Sequence, residues 1–415
     1  MHVCRKHLPI LLALCATPAI WGQTLLEQAL SLDQCIALAL ERHPLILASG
    51  EWHQAALARI RQATVYPFPS ISFNSDLQPQ PLNFIRSEEA YLGVNQTFEL
   101  PRKRQARGAI MERESKEIET EIEVVKLEVM FQVRSSFYEL LLAQEKVALA
   151  RRDQEMAEDF LQKTELKLAA GDVGKVEVLR ARVEALRTAN VLKTATREEE
   201  LARARLNYHL ARGRSDPIRI EGKLQIPFRD LNLSELHAEA QRLRPELQKL
   251  RFAVEKEDLV QKNARLSRLP DMDFNLSLHH VEGTPKMWSF NVSVPLSFLF
   301  QQRQKAEIAE SQANARALER EAEQVRNTVL VEVQEARANA QKAQDQILLF
   351  QNEILPQAQE VVEMFSYSYQ EGEIGGIELI EARRTLNESR KAYADALFEY
   401  ALALAALEKA VGRRP

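Results

Sequence analysis

Apolar residues along the chain follow two periods, and the two alternate in the same order twice. Helical spacing runs over 32–42, behind Ser31 and Asp33, and again over about 45–63, with His43-Pro44 interrupting and Tyr66-Pro67-Phe68-Pro69 ending the run. Behind Pro69 the period drops to two. Ile71, Phe73 and Leu77 alternate with Ser72, Asn74 and Asp76, then Leu92, Val94 and Phe98 alternate with Gly93, Asn95, Thr97 and Glu99. The order returns 201 residues on: helical spacing over 231–244, Pro245, helical spacing over 246–266, then Leu269-Pro270. Met272, Phe274, Leu276 and Leu278 next alternate with Asp273, Asn275, Ser277 and His279, and Trp288, Phe290, Val292, Val294 and Leu296 with Ser289, Asn291, Ser293 and Ser297. These patterns predict strands over about 70–78, 90–100, 271–280 and 286–297, each apolar on one face and long enough to cross a bilayer when tilted.

After each strand pair comes a long helix. From 102 to 170 no proline occurs, and Ile118, Ile122, Val125, Val129, Val133, Phe137 and Leu140 mark a buried stripe; nearly 70 residues at about 1.5 Å reach roughly 100 Å. A shorter helix returns over 176–212. The second half goes out over 301–370, where Pro356 predicts a bend, and returns over 377–411. In each half the short helix ahead of the strands makes up the missing length of the return helix. The two reversals share a sequence: Gly171, Gly174, Glu177, Ala181 and Arg182 recur in step as Gly372, Gly375, Glu378, Ala382 and Arg383. The chain thus divides into a first repeat over 23–213 with its tip near 171–175, a linker over 214–230, and a second repeat over 231–412 with its tip near 372–376.

Composition narrows the setting. Only 13 Gly and 16 Pro punctuate 415 residues, as long helices require, and a net charge of −4 argues against nucleic acid as a partner. Arg5, Lys6 and His7 precede an apolar run over 8–20 that is too short for a permanent span, so residues 1–22 are expected to be a cleaved secretory signal. Lipidation at Cys15 is the alternative, but Leu14 stands where a small residue is wanted. Cleavage leaves Cys35 as the sole cysteine, so no intrachain disulfide is expected. With no later apolar run of helix-spanning length, any spanning part must be a closed β-barrel, and four strands cannot close one. Two protomers would give a filled lumen and three would leave a passage, which favours a homotrimer.

Nearly the whole mature chain resembles the TolC family of outer-membrane efflux proteins. The likeness lies in the duplicated halves, a strand hairpin in each, and the turn sequences, above all Tyr369-Gln370-Glu371-Gly372 running on to Leu379-Ile380-Glu381-Ala382. The stretch from Gln96-Thr97-Phe98-Glu99-Leu100-Pro101 to Arg102-Lys103-Arg104-Gln105-Ala106-Arg107 is similar to the segment found in its heavy-metal-cation branch. The resemblance implies a mainly α fold with a small β part. Long helical hairpins would form an α-barrel through the periplasm, and four strands per protomer would build a trimeric 12-stranded barrel in outer-membrane lipid. It also implies docking on a periplasmic adaptor and on an inner-membrane pump of the resistance-nodulation-division type.

The resemblance makes the reversals the constricted entrance and adaptor contact, carried by Gly171, Gly174, Glu177, Tyr369, Gly372, Gly375, Glu378 and Glu381. Rings of carboxylates in a narrow pore attract cations, although acids near a helix start also favour its dipole while staying solvated. The glycines are expected to supply turn conformations that other residues adopt at a cost. One departure stands out: where the family's best-known members place an Arg two residues after the turn glycine, this chain has Ile374, so apolar constriction or Lys175 would have to replace that tie. His279 and His280, adjacent on a strand, point to opposite faces and cannot share an ion, so no stored metal is expected. With no nucleophile–base pair, phosphate loop or metal cluster in the sequence, no cofactor and no enzymatic activity are expected. A periplasmic adaptor or a structural coiled-coil protein is the competing reading; an adaptor normally carries one long helical hairpin and no membrane-length strand pairs, and a coiled-coil protein explains the helices and leaves the strands without a purpose.

Overall fold

The computed structural model describes residues 29–76, 89–281, 283–296 and 299–413. The expected signal segment with Cys15, the end of the first expected strand at 77–78, and Ser297 lie outside the described residues.

Each half opens with a short helix pair broken at a proline. In α1 (Leu32–Arg42), Ser31 and Gln34 cap one another reciprocally, and α2 (Pro44–Thr64) follows at once. Pro44 takes the first helical position, where its missing N–H is no loss, and His43 Nδ1 accepts from the Leu45 N–H at 3.3 Å. Strands β1 (Ser70–Asp76) and β2 (Glu89–Phe98) lead into α3 (Pro101–Ala170), 70 unbroken residues or about 105 Å, and α4 (Lys175–His209) returns. The second half repeats this as α5 (Leu233–Leu243), α6 (Pro245–Leu266), β3 (Met272–Val281), β4 (Met287–Ser293), α7 (Gln302–Leu349), α8 (Leu355–Gln370) and α9 (Gly376–Val411). Between α7 and α8 a π-helical turn, Phe350–Ile354, precedes Pro356. Proline can neither donate backward nor tolerate the carbonyl four residues before it, and the widened turn absorbs both defects.

Short helices complete the returning ones. Along α3, α2 lies beside the first third, with Arg59 on Glu114 at 2.6 Å, and α4 beside the remainder, with Arg182 on Glu165 at 2.9 Å. Helix α6 bridges the halves, bonding to α3 through Lys249–Glu121 and Lys256–Glu117 and to α7 through Ser311, whose hydroxyl donates to the Glu257 carbonyl. Two apolar cores sit midway along the long helices. One gathers Ile36, Val133, Phe137, Leu140 and Leu206, the other Val329, Val333, Ala340, Tyr400 and Leu404. Residues 214–230, expected as a linker of little structure, are packed into these cores: Ile218 and Leu224 are buried, Ile220 bridges Leu30, and the Arg229 N–H donates to Tyr400 Oη. Arg244, also buried, donates to the Lys409 carbonyl at the end of α9 and pairs with Glu332 at 2.8 Å, satisfying groups that helix ends leave open.

The four strands form one antiparallel meander in the order β1-β2-β3-β4. Its register lines up like with like. Ile71, Val94, Leu276 and Phe290 form one row and Phe73, Leu92, Leu278 and Trp288 another, and most of these side chains are exposed. On the opposite face run Ser70, Asn95, Asn275 and Asn291, then Ser72, Gly93, Ser277 and Ser289, with the Ser277 and Ser289 hydroxyls bonded at 2.7 Å. Both edge strands, β1 and β4, lack a partner on their outer sides within the described residues. Where strand gives way to helix, Glu99 accepts two bonds from Arg107 (2.7 and 2.8 Å), Lys103 pairs with Asp271 at 2.7 Å, and the Arg104 guanidinium lies 3.3 Å from the Tyr66 ring centroid. The basic segment after Pro101 therefore fixes the corner between sheet and helices. No helix among the described residues is long and apolar enough to cross a membrane.

Candidate functional site

The two helix reversals are built alike. Gly171 and Gly372 adopt φ of 86° and 78°. Their N–H groups donate to the Leu168 and Tyr369 carbonyls, and the next N–H groups, of Asp172 and Glu373, donate to Lys167 and Ser368 at 2.9 Å. That pattern closes a helix with a left-handed residue, a conformation glycine enters without the penalty a Cβ brings. Gly174 and Gly375 correct the expectation. Their backbones are extended (φ −83° and −79°), a conformation open to any residue, and they serve as the N-terminal caps of α4 and α9. Gly376, absent from the candidates, is the glycine that packing requires: a Cβ there would stand 2.9 Å from Phe160 Cζ and 3.0 Å from Glu177 Oε2.

Through Gly376 the two reversals touch. Phe160, Ala181 and Leu379 form a small buried cluster joined by Tyr369, whose ring centroid lies 5.4 Å from that of Phe160 and 4.3 Å from the Lys167 ammonium. Glu177 is half-buried beside this contact and pairs with Arg180 at 3.3 Å. Glu378 and Glu381 are exposed on one face of α9, and Glu381 pairs with Arg384 at 2.9 Å. Ile374 is partly covered and Lys175 is exposed.

About two to five turns above the tip, further ties join the hairpins, and none was legible in the sequence. Arg384 also reaches Glu184 on α4 at 3.2 Å, and Asn387 Nδ2 donates to Asp153 Oδ1 on α3. These groups line a cleft of about 100 Å³ together with Phe160, Arg383 and Lys391. Burial pushes the Asp153 carboxyl up to about 6, against the pull of Lys391 and Arg390 and the Asn387 bond. Neither the turn motif nor any period marks these polar residues, because what they share is the partner hairpin. Among the described residues no group of three or more His, Cys, Asp or Glu is placed to hold a metal ion. The site is a joint between helices, with Glu177 paired to Arg180 and with Glu184 and Glu381 both paired to Arg384.

Three comparisons bear on this architecture. The cobalt-zinc-cadmium resistance protein CzcC of Cupriavidus metallidurans is 24% identical over 394 residues, covering 92% of this chain and 90% of its own. The solved channel CusC superposes with a TM-score of 0.75 at 17% identity, covering 92% of both chains. The open-state MtrE outer membrane channel of Neisseria gonorrhoeae gives 0.75 at 17%, covering 92% of this chain and 88% of that one. Such likeness between structures speaks for the fold. The sequence pattern described as outer membrane efflux protein matches residues 35–211 and 236–413, both repeats nearly whole, and the chain belongs to that family.

Proposed function

We propose that three copies of this chain assemble into a passive conduit of a tripartite efflux system. Four-stranded sheets close a 12-stranded barrel in the outer membrane, and the long helices form a tunnel through the periplasm. The observation that carries the reading is the meander itself: one face apolar and exposed, the other lined with Asn and Ser, and an open strand at each edge, joined to helices of about 105 Å. A lone sheet of this kind leaves edge donors and acceptors without partners in lipid, and joining β4 of one copy to β1 of the next satisfies them. In this assembly the reversals around Gly171, Gly174, Gly372 and Gly375 form the periplasmic entrance, with Glu177, Tyr369, Glu378 and Glu381 at the surface that meets a periplasmic adaptor. Energy comes from an inner-membrane pump of the resistance-nodulation-division type, and the channel catalyses nothing.

Heavy-metal cations are the favoured cargo. The Gln96–Arg107 segment and the likeness to CzcC support this, as does the mildly acidic balance of the chain. Mass measurement of the detergent-extracted particle from outer-membrane fractions tests the assembly, with a trimer expected. A soluble monomer or dimer would mean that the apolar strand faces never meet lipid, and an adaptor or structural role would take the channel's place.

A further inference from the structure

We propose that Glu89 and His279 form a subsite for a borderline divalent transition-metal ion, of the zinc class, on the polar face of the sheet near its hairpin ends. The placement of this face on the pore wall rests on the conduit reading, whereas the ligands come from a single protomer. The β2–β3 register sets Tyr91 opposite His279, and Glu89 follows two residues away on the same face. The Tyr91 and His279 rings stack with centroids 4.1 Å apart and planes 7° from parallel, which fixes the imidazole. Tyr91 Oη donates to Glu89 Oε2 at 3.0 Å, which fixes the carboxylate. His279 Nε2 faces that same oxygen at 3.9 Å, is shut off from solvent and makes no hydrogen bond.

A ring nitrogen held in place, without a hydrogen bond and facing an oriented carboxylate oxygen, is half of a metal site. Bonds of about 2.0–2.2 Å to nitrogen and oxygen at a tetrahedral angle put the two donors about 3.4 Å apart. Closing the observed gap by about 0.5 Å, a small torsion of the Glu89 side chain, admits the ion. Tyr91 supplies the outer-shell bond that such sites use to orient a ligand. In the register Asp76 stands opposite Glu89 and Met287 opposite His279, but among the described residues no third His, Cys, Asp or Glu is close enough to complete a group of three ligands, so the pair Glu89 and His279 supplies the protein's donors. Turning the Glu89 side chain to admit the ion also opens His279 Nε2 to water, and with only two protein donors per protomer and water completing the shell the ion is held weakly and released, as a wayside position in a conduit requires. His280 lies on the other face, opposite Ala90, and has no part in it.

The test is calorimetric titration of Zn²⁺ alone into the untagged, detergent-purified full-length protein and three variants. Saturable binding at one ion per protomer is expected for the wild type and for His280→Ala. Affinity should fall about tenfold or more in His279→Ala and in the isosteric Glu89→Gln, which preserves the fold should the alanine variant fail to assemble. No saturable uptake by the wild type up to millimolar zinc, or equal titrations for the wild type and Glu89→Gln, would overturn the subsite. Planar-bilayer conductance separates the two readings. A protein that conducts without binding zinc loses the subsite and keeps the channel; one that binds zinc without conducting does the reverse.

Discussion

Asp153 offers the sharpest test of how the hairpins are tied. Replacing it by Asn keeps the side-chain oxygen that accepts from Asn387 and removes the charge that burial disfavours. The carboxyl is 9% exposed and titrates near about 6 in the folded protein, against 3.8 when free. The folded form therefore binds the proton more tightly than the unfolded one. The penalty is absent below the unfolded pKa, grows as pH rises between the two values, and is complete above the folded one. At neutral pH it amounts to about 3 kcal/mol per protomer, and about 1.4 kcal/mol of that develops between about pH 5 and about pH 7.5. Thermal unfolding of wild type and Asp153→Asn, measured side by side in detergent across that range, should show the wild type falling behind the variant as pH rises. Midpoint curves that stay parallel would refute the reasoning, because other titrating groups are common to both proteins and cancel.

Two further outcomes follow from packing. Arg244→Met should cost about 1–3 kcal/mol, since it leaves the buried Ala410 carbonyl and the Lys409 carbonyl without this donor, while the half-exposed Glu332 turns to water; thermal unfolding of the purified protein reads the loss, and an unchanged midpoint would contradict it. Gly376→Ala should loosen the tip by about 1–3 kcal/mol, because the packed Phe160 ring and Glu177 must give way, whereas Gly375→Ala meets only the exposed, movable Glu378 carboxylate and should cost less. Limited proteolysis around residues 165–180 compares the two, and equal cleavage would show that the close approach at Gly376 carries no weight.

Much of the fold could be read from the order of residues because the signals are local. Alternation over Met272–Val281 and the prolines at 44 and 245 act within a few neighbours, so strand faces and helix starts come through. The π-helical turn does not: Pro356 announces a defect, but how the ladder absorbs it depends on the preceding turn. The turn motif led to Gly171 and Gly372, whose left-handed backbones are also local, and lent the same role to Gly174 and Gly375, which are ordinary caps. Gly376 escaped notice because its need arises from Phe160, more than 200 residues earlier. The pairing of His279 with Glu89 escaped for a similar reason. Sequence spacing shows that His279 and His280 diverge, but only the β2–β3 register reveals what each one meets.

The open edges of the meander also bear on how the protein comes into being. Among the described residues a single copy carries two strand edges without a partner beside an apolar face, the arrangement that invites indiscriminate strand addition. In the proposed assembly, folding of the sheet and recognition of another copy are then one event, and the yield of finished protein would depend on how many nascent chains share the compartment. On that reading gene dosage becomes a folding variable: too few copies would leave sheets waiting with their edges bare, and a copy with a damaged β1 or β4 would spoil its intact neighbours.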